Sequence, residues 1–221
     1  MAGRGRLACQ RTRLSRLRYN WRTATAHLCA TCPRLARFIN DFGNERLWVR
    51  GDQDVFRALA RAIAYQQLSG AAAGTIHGRF EALFTDQRPD ARQTLALGSE
   101  ALRQTGLSRA KTLALLDLAQ RVHDRDLPGA RQLSRLDDDT LIQRLSAVRG
   151  VGPWTVQMYL LFTLGRPDIM PATDLGVQKG VQQIYALAQK PTPAQVLERT
   201  GKLAPYRSAA AWYFWRAADN A

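Results

Sequence analysis

Between Leu141 and Phe162 apolar positions fall at helical spacing twice, with a short glycine-rich interruption between. Leu141, Ile142, Leu145 and Val148 stand three, four and seven positions apart, which puts them on one face of a helix. After Arg149-Gly150-Val151-Gly152-Pro153 a second series runs through Trp154, Thr155, Met158, Leu161 and Phe162. Gly150 and Gly152 are expected to let the backbone take positive φ and let another backbone come close. Pro153 suits the first turn of a helix, where its missing N–H costs nothing. The pattern predicts two helices joined by a tight turn, followed by a loop that delivers Asp174.

The same signals predict helices along most of the chain. Pro33 to Phe42 has Leu35, Ala36 and Ile39 on one face. Asp54 is a plausible N-cap for a helix over 55–67, with Phe56, Leu59, Ile63 and Gln67 in register. Ser69 caps a helix from Gly70 to about Leu83, so Gln66-Gln67-Leu68 sits at a break where side chains can project into a groove. Pro89 and Gly98 mark loops. Ser108 opens a long helix from Arg109 to about Asp124, with Ala110, Leu113, Leu116 and Val122 as its inner stripe. Asp137 to Asp139 put acids at the start of the first hairpin helix, as the helix dipole prefers. Asp174 opens a helix to about Leu187, Thr192-Pro193 one to about Arg199, and Pro205 the last. No convincing alternating strand pattern occurs, so the fold class expected is all-α.

Charge narrows the partners. The 221 residues carry 32 Lys and Arg against 18 acids, a net charge of +14. A polyanion is the simplest reason for that excess, and an inert basic surface is the alternative. Length and an apolar content of 46% fit one globular domain or two small ones. No apolar run of about 18 residues exists, so no membrane span is expected. Residues 1–22 hold seven arginines and no acid, and are expected to be a mobile segment. They fit a basic arm, a transit peptide or an extension without a role. Cys9, Cys29 and Cys32 all lie early, His27, His77 and His123 form no ligand pattern, and the cysteines read as reduced thiols of an intracellular protein.

Two features carry chemistry. Bare N–H groups at the start of the second hairpin helix, with the positive end of its dipole behind them, make a site for one phosphate. A glycine turn buried between packed helices is the commoner meaning of a lone GxG. Asp174 reads by composition as a helix cap.

The residues Leu145-x-x-Val148-x-Gly150-Val151-Gly152-x-Trp154-Thr155 and Pro171-x-x-Asp174 resemble the helix-hairpin-helix DNA glycosylase superfamily, most closely its DNA-3-methyladenine glycosylase II branch. Ile63-Ala-Tyr-Gln-Gln-Leu-Ser69 and the stretch from Pro205 to Trp215 match the same branch, so the resemblance covers about residues 24 to 218. It implies two helical subdomains flanking a cleft. One holds 55–165 with the hairpin, and the other holds 23–54 plus 166–221, the loop from Leu164 to Asp174 crossing between them.

The resemblance also implies a monofunctional enzyme of base excision repair. It would flip an alkylated base such as 3-methyladenine out of duplex DNA and hydrolyse its N-glycosidic bond. Asp174 would be catalytic. Trp154, Trp215, Tyr65 and Met158 would form the base pocket, with Met158 standing where some members have Tyr; Trp212, Tyr213 and Phe214 read rather as core. Gln67 and Leu68 would fill the gap left by the flipped base. Arg149, Gly150, Val151, Gly152 and Thr155 would meet DNA. The backbone carbonyls of Ser146, Val148 and Val151 would hold Na+ or K+. No cofactor is required, and no iron–sulfur cluster is expected because no cysteine follows Cys32. Bifunctional relatives place a lysine two residues after the second hairpin glycine; here that residue is Trp154, so no lyase activity is expected. A monomer in the cytoplasm, nucleoid-associated in a bacterium, completes the reading. The alternatives are a non-catalytic DNA-binding hairpin module and a glycosylase for oxidised or mismatched bases.

Overall fold

The computed structural model describes residues 17–43, 45–50, 54–68, 70–127, 129–133 and 135–220. Among them the fold is all-α. The helices are α1 (Trp21–Thr31), α2 (Pro33–Phe42), α3 (Val55–Tyr65), α4 (Gly70–Glu81), α5 (Ala91–Gln104), α6 (Arg109–His123), α7 (Ala130–Leu133), α8 (Asp138–Leu145), α9 (Pro153–Phe162), α10 (Leu175–Tyr185), α11 (Pro193–Thr200) and α12 (Arg207–Asp219). None of the described helices is long and apolar enough to cross a membrane.

Local chemistry sets most helix starts. The side chains of Asn20, Asp54, Asp90, Ser108, Asp137, Asp174 and Thr192 each accept a hydrogen bond from a first-turn N–H. At Thr192 the partner Gln195 reaches back to complete a capping box.

Packing sorts the helices by neighbour. α10 lies along α12, with α1, α2 and α11 beside them; α3 is surrounded by α4, α6 and α9, and α5 lies along α6. A Cβ on Gly180 would collide with the backbone carbonyl of Phe214, so α10 and α12 touch backbone to backbone there. Buried Leu28, Leu35, Leu59, Ile63, Leu115, Leu118, Leu160 and Phe214 belong to one continuous apolar core.

Several boundaries differ from the sequence reading. α1 begins at Trp21, and Tyr19 and Trp21 pack against Tyr206 and Tyr213, so residues 17–22 are part of the fold. The remainder of the basic segment, 1–16, lies outside the described residues, as does Ser69. The face α6 buries is Thr112, Ala114, Leu115, Leu118 and Ala119. Two neighbours, α3 and α5, grip this helix and turn Leu113, Leu116 and Val122 to its flanks, leaving Ala110 exposed. Gly98 interrupts α5 with φ +71, yet helix flanks it on both sides where only a loop was expected. The last helix starts two residues beyond Pro205.

Candidate active site

Asp174 ends the loop out of the hairpin and caps α10 with its own side chain: Oδ1 accepts the N–H of Val177 at 2.9 Å. Its backbone N–H donates to the carbonyl of Pro171, closing a tight turn before the helix. Two indoles complete the carboxylate's surroundings. Trp215 of α12 donates Nε1–H to Oδ1 at 2.8 Å, and Trp154 of α9 donates Nε1–H to Oδ2 at 2.9 Å. Among the described residues no Lys, Arg or His forms an ion pair with it. Neutral N–H groups fix the carboxylate without cancelling its charge. Oδ1 takes two donors and Oδ2 one, so Oδ2 keeps more lone-pair capacity for a further partner.

Gly176 makes this arrangement possible. A Cβ there would lie 2.7 Å from Cδ1 and 3.2 Å from Nε1 of Trp215. The sequence reading missed Gly176, because the need for glycine arises only once α10 and α12 are docked.

The loop before Asp174 is tied on both sides. Arg207 of α12 forms a double hydrogen bond with Asp168 at 2.8 Å through each nitrogen, and the N–H of Ile169 donates to Ser208. Arg207 holds the Asp168 carboxyl below its ordinary range against the opposing effect of burial. On the other side Arg166 reaches Asp138 and the carbonyl of Leu136.

Beside Trp154 lies a cavity of about 250 Å³, lined by Tyr65, Trp154, Met158 and Phe162 with Arg50 and Arg61. Three of the four expected pocket residues thus share one cavity. Trp215 does not line it; it stands behind Phe162, with ring centroids 5.6 Å apart, and serves the carboxylate instead. Trp154 is 40% exposed, while Trp212, Tyr213 and Phe214 are buried in the core as expected.

The α3–α4 break projects Gln67, held in the left-handed region at φ +54, and Leu68, 41% exposed. The helix therefore ends at Tyr65 and not at Gln67. Gln66, which the sequence reading gave no role, ties the break to the hairpin. Its Nε2 donates to the carbonyl of Gly150 at 2.9 Å and to Thr155 Oγ1 at 3.3 Å. Lys111 of α6 caps the end of α3 by donating to the carbonyls of Ala64 and Gln66.

In the hairpin turn Gly150 has φ +71, the left-handed conformation expected of it. Gly152 does not: its φ is −94, ordinary extended backbone, and a Cβ there would meet nothing within 4 Å. Gly152 offers no side-chain cap, so the first-turn N–H groups of α9 have no capping partner from it. Arg149 is exposed, and its backbone N–H is fixed by Asp117 of α6 at 2.8 Å. The Thr155 side chain is buried and bonded to Gln66, so it supports the turn from inside and leaves only its backbone for DNA. The Val151 side chain is likewise buried, which leaves only its backbone for DNA.

Comparison with known proteins agrees with this geometry. Residues 60–205 match the model of the HhH-GPD superfamily of base excision DNA repair proteins. DNA-3-methyladenine glycosylase 1 of Schizosaccharomyces pombe is 34% identical over 184 residues, spanning 83% of this chain and 80% of the relative. The structure of the fission yeast 3-methyladenine DNA glycosylase Mag1 in complex with abasic DNA aligns with a TM-score of 0.78 at 32% identity, over 88% of this chain and 95% of that one. A DNA-3-methyladenine glycosidase structure from Bacillus halodurans aligns with a TM-score of 0.80 at 31% identity, over 88% of each chain. The chain therefore belongs to the HhH-GPD superfamily of base excision DNA repair proteins.

Proposed function

We propose that the protein is a monofunctional DNA glycosylase that hydrolyses the N-glycosidic bond of alkylated bases in duplex DNA. The carrying observation is the Asp174 carboxylate, held by Trp215 and by Trp154, the latter of which also lines an aromatic cavity. The names of the relatives support the alkylated-base class. The +14 charge and the uncapped start of α9 support duplex DNA as partner.

In this reading the flipped base enters between Trp154 and Tyr65 while Gln67 and Leu68 fill the space it leaves. An alkylated purine is positively charged and leaves readily. The C1′–N bond breaks, its electron pair departs with the base, and oxocarbenium character grows on the sugar. Asp174 opposes that charge; a unit negative charge about 4 Å away is worth roughly 4 kcal/mol at an effective dielectric near 20. Water then bonds to C1′ and gives up its proton to Oδ2 or to solvent, leaving an abasic site and free base. No lysine amine takes part, so the strand stays intact.

A hairpin Na+ or K+ is part of the proposal. The Ser146 hydroxyl oxygen is buried without a partner, and the Val148 carbonyl accepts only the Val151 N–H at 3.0 Å among the backbone bonds of this turn. Both fit a site for a hard cation, with the carbonyls of Ser146, Val148 and Val151 as ligands. The cation would draw a DNA phosphate to the turn. We further propose a monomer acting in the cytoplasm on chromosomal DNA.

The test is direct: purified protein incubated with methylated duplex DNA should release free 3-methyladenine or 7-methylguanine. Binding without any base release would leave only a DNA-binding module.

A further inference from the structure

Two of the arginines that line the base cavity also line a neighbouring one. This second cavity, of about 400 Å³, shares Arg50, Ala58, Arg61 and Thr163 with the first as common wall. Its remaining walls include Trp48, Arg57, His77 and Glu81. A methyl group on a flipped base would occupy almost none of this volume.

The charges are as telling as the volume. Arg50 and Arg61, on the shared wall, form no ion pair among the described residues. The Arg61 guanidinium lies 4.1 Å over the ring of Tyr65, so it already covers that π-face. Arg57 leans towards Asp54 at 3.8 Å, and His77 is 3.3 Å from the Glu81 carboxylate. His77 is held neutral by burial and by Arg61 and Arg50, and with Arg57 set against Asp54 the Arg50 and Arg61 guanidinium groups face the single carboxylate of Glu81 in the chamber. An acidic substituent meets two guanidinium groups that form no ion pair among the described residues, and a guanidinium fork binds a carboxylate by paired hydrogen bonds.

We propose that the second chamber is an adduct subsite, taking purine lesions whose alkyl substituent ends in a carboxylate read by Arg61 and Arg50. The proposal rests on the glycosylase reading and specifies the substrate class of the same site. The leaving base carries the extra group past Tyr65 into the chamber, while Asp174 acts on the sugar as before.

The experiment compares two batches of one duplex, one methylated and one carboxymethylated with diazoacetate. Released purines are measured under single-turnover conditions, each rate normalised to its own spontaneous depurination. The wild-type protein should release carboxymethyl purines at least as fast as methyl purines. Arg61→Gln should lower the carboxymethyl-to-methyl ratio tenfold or more, and Arg61→Lys should restore part of it. Thermal midpoints of all three proteins accompany the rates. A wild-type protein that releases methyl purines alone overturns the subsite, whatever the variants do. So does an Arg61→Gln protein that loses both activities in equal proportion. Release of neither base overturns the glycosylase reading itself, and the subsite with it.

Discussion

The indole N–H of Trp215 lies 2.8 Å from Oδ1 of Asp174, and only a glycine at 176 leaves room for that contact. An aromatic residue from the last helix thus orients a carboxylate at the start of α10. Trp215→Phe keeps the ring and removes the donor. It should lower single-turnover excision about tenfold, with little change in DNA affinity, since one hydrogen bond to a charged group is worth about 1.5–3 kcal/mol. Gly176→Ala should reproduce the loss by displacing the same indole. Excision rates on methylated duplex check both, and full activity in Trp215→Phe would show that Val177 and Trp154 suffice.

The two hairpin glycines should separate by assay. Gly150 sits at φ +71, so Gly150→Ala should cost about 1 kcal/mol or more of stability. Gly152 has an ordinary φ and open space around it, so Gly152→Val should leave the thermal midpoint nearly unchanged. That side chain would cover the first-turn N–H groups of α9. Affinity for abasic duplex of any sequence should fall about tenfold, roughly 1.4 kcal/mol. An unchanged affinity would remove the phosphate clamp from the account.

Strand cleavage is expected to be absent. Trp154 has no amine, and Lys111 is held at 2.9 and 2.8 Å on the carbonyls of Ala64 and Gln66. Borohydride added during full base excision should trap no protein–DNA adduct, because no Schiff base forms. A trapped adduct would contradict this.

His77 gives the fold a defined acid sensitivity. Burial first, then Arg61 and Arg50, lower its pKa from 6.5 to about 4. The unfolded chain therefore binds a proton at this residue over a pH range where the folded chain does not. Stability should decline as pH falls from 6.5 towards 4, by up to about 3 kcal/mol, and be unaffected by His77 above that window. Urea unfolding across this range, compared with His77→Phe, measures it; the variant should have the flatter profile.

Much of this was legible in the sequence where the cause is local. Asp137 and Asp174 cap helices because a short acid before an apolar series satisfies first-turn N–H groups, whatever the tertiary setting. The hairpin was legible because glycine and proline set its backbone directly. What required the structure depends on docking. The face α6 buries was decided by α3 and α5, not by its own periodicity. Thr155 reads as a surface residue of a DNA-binding turn until Gln66 is seen covering it. Gln66 at the end of α3 and Asp117 of α6 brace the hairpin, and no spacing in the chain links them to it.

The central claim is that Asp174 acts through its negative charge, beyond its role as a cap. Asp174→Asn keeps the shape and one oxygen, enough to accept the Val177 N–H, and Asn caps helices about as well as Asp. It removes the charge and sets an amide donor where a carboxylate oxygen now accepts from an indole. Excision of a methylated base, measured in single turnover alongside affinity and thermal midpoint on one preparation, is the decisive quantity. The account predicts a fall of about a hundredfold or more, about 3 kcal/mol, with the fold intact and binding to damaged duplex retained or tighter. Excision at near the wild-type rate would reduce Asp174 to a helix cap and contradict the account.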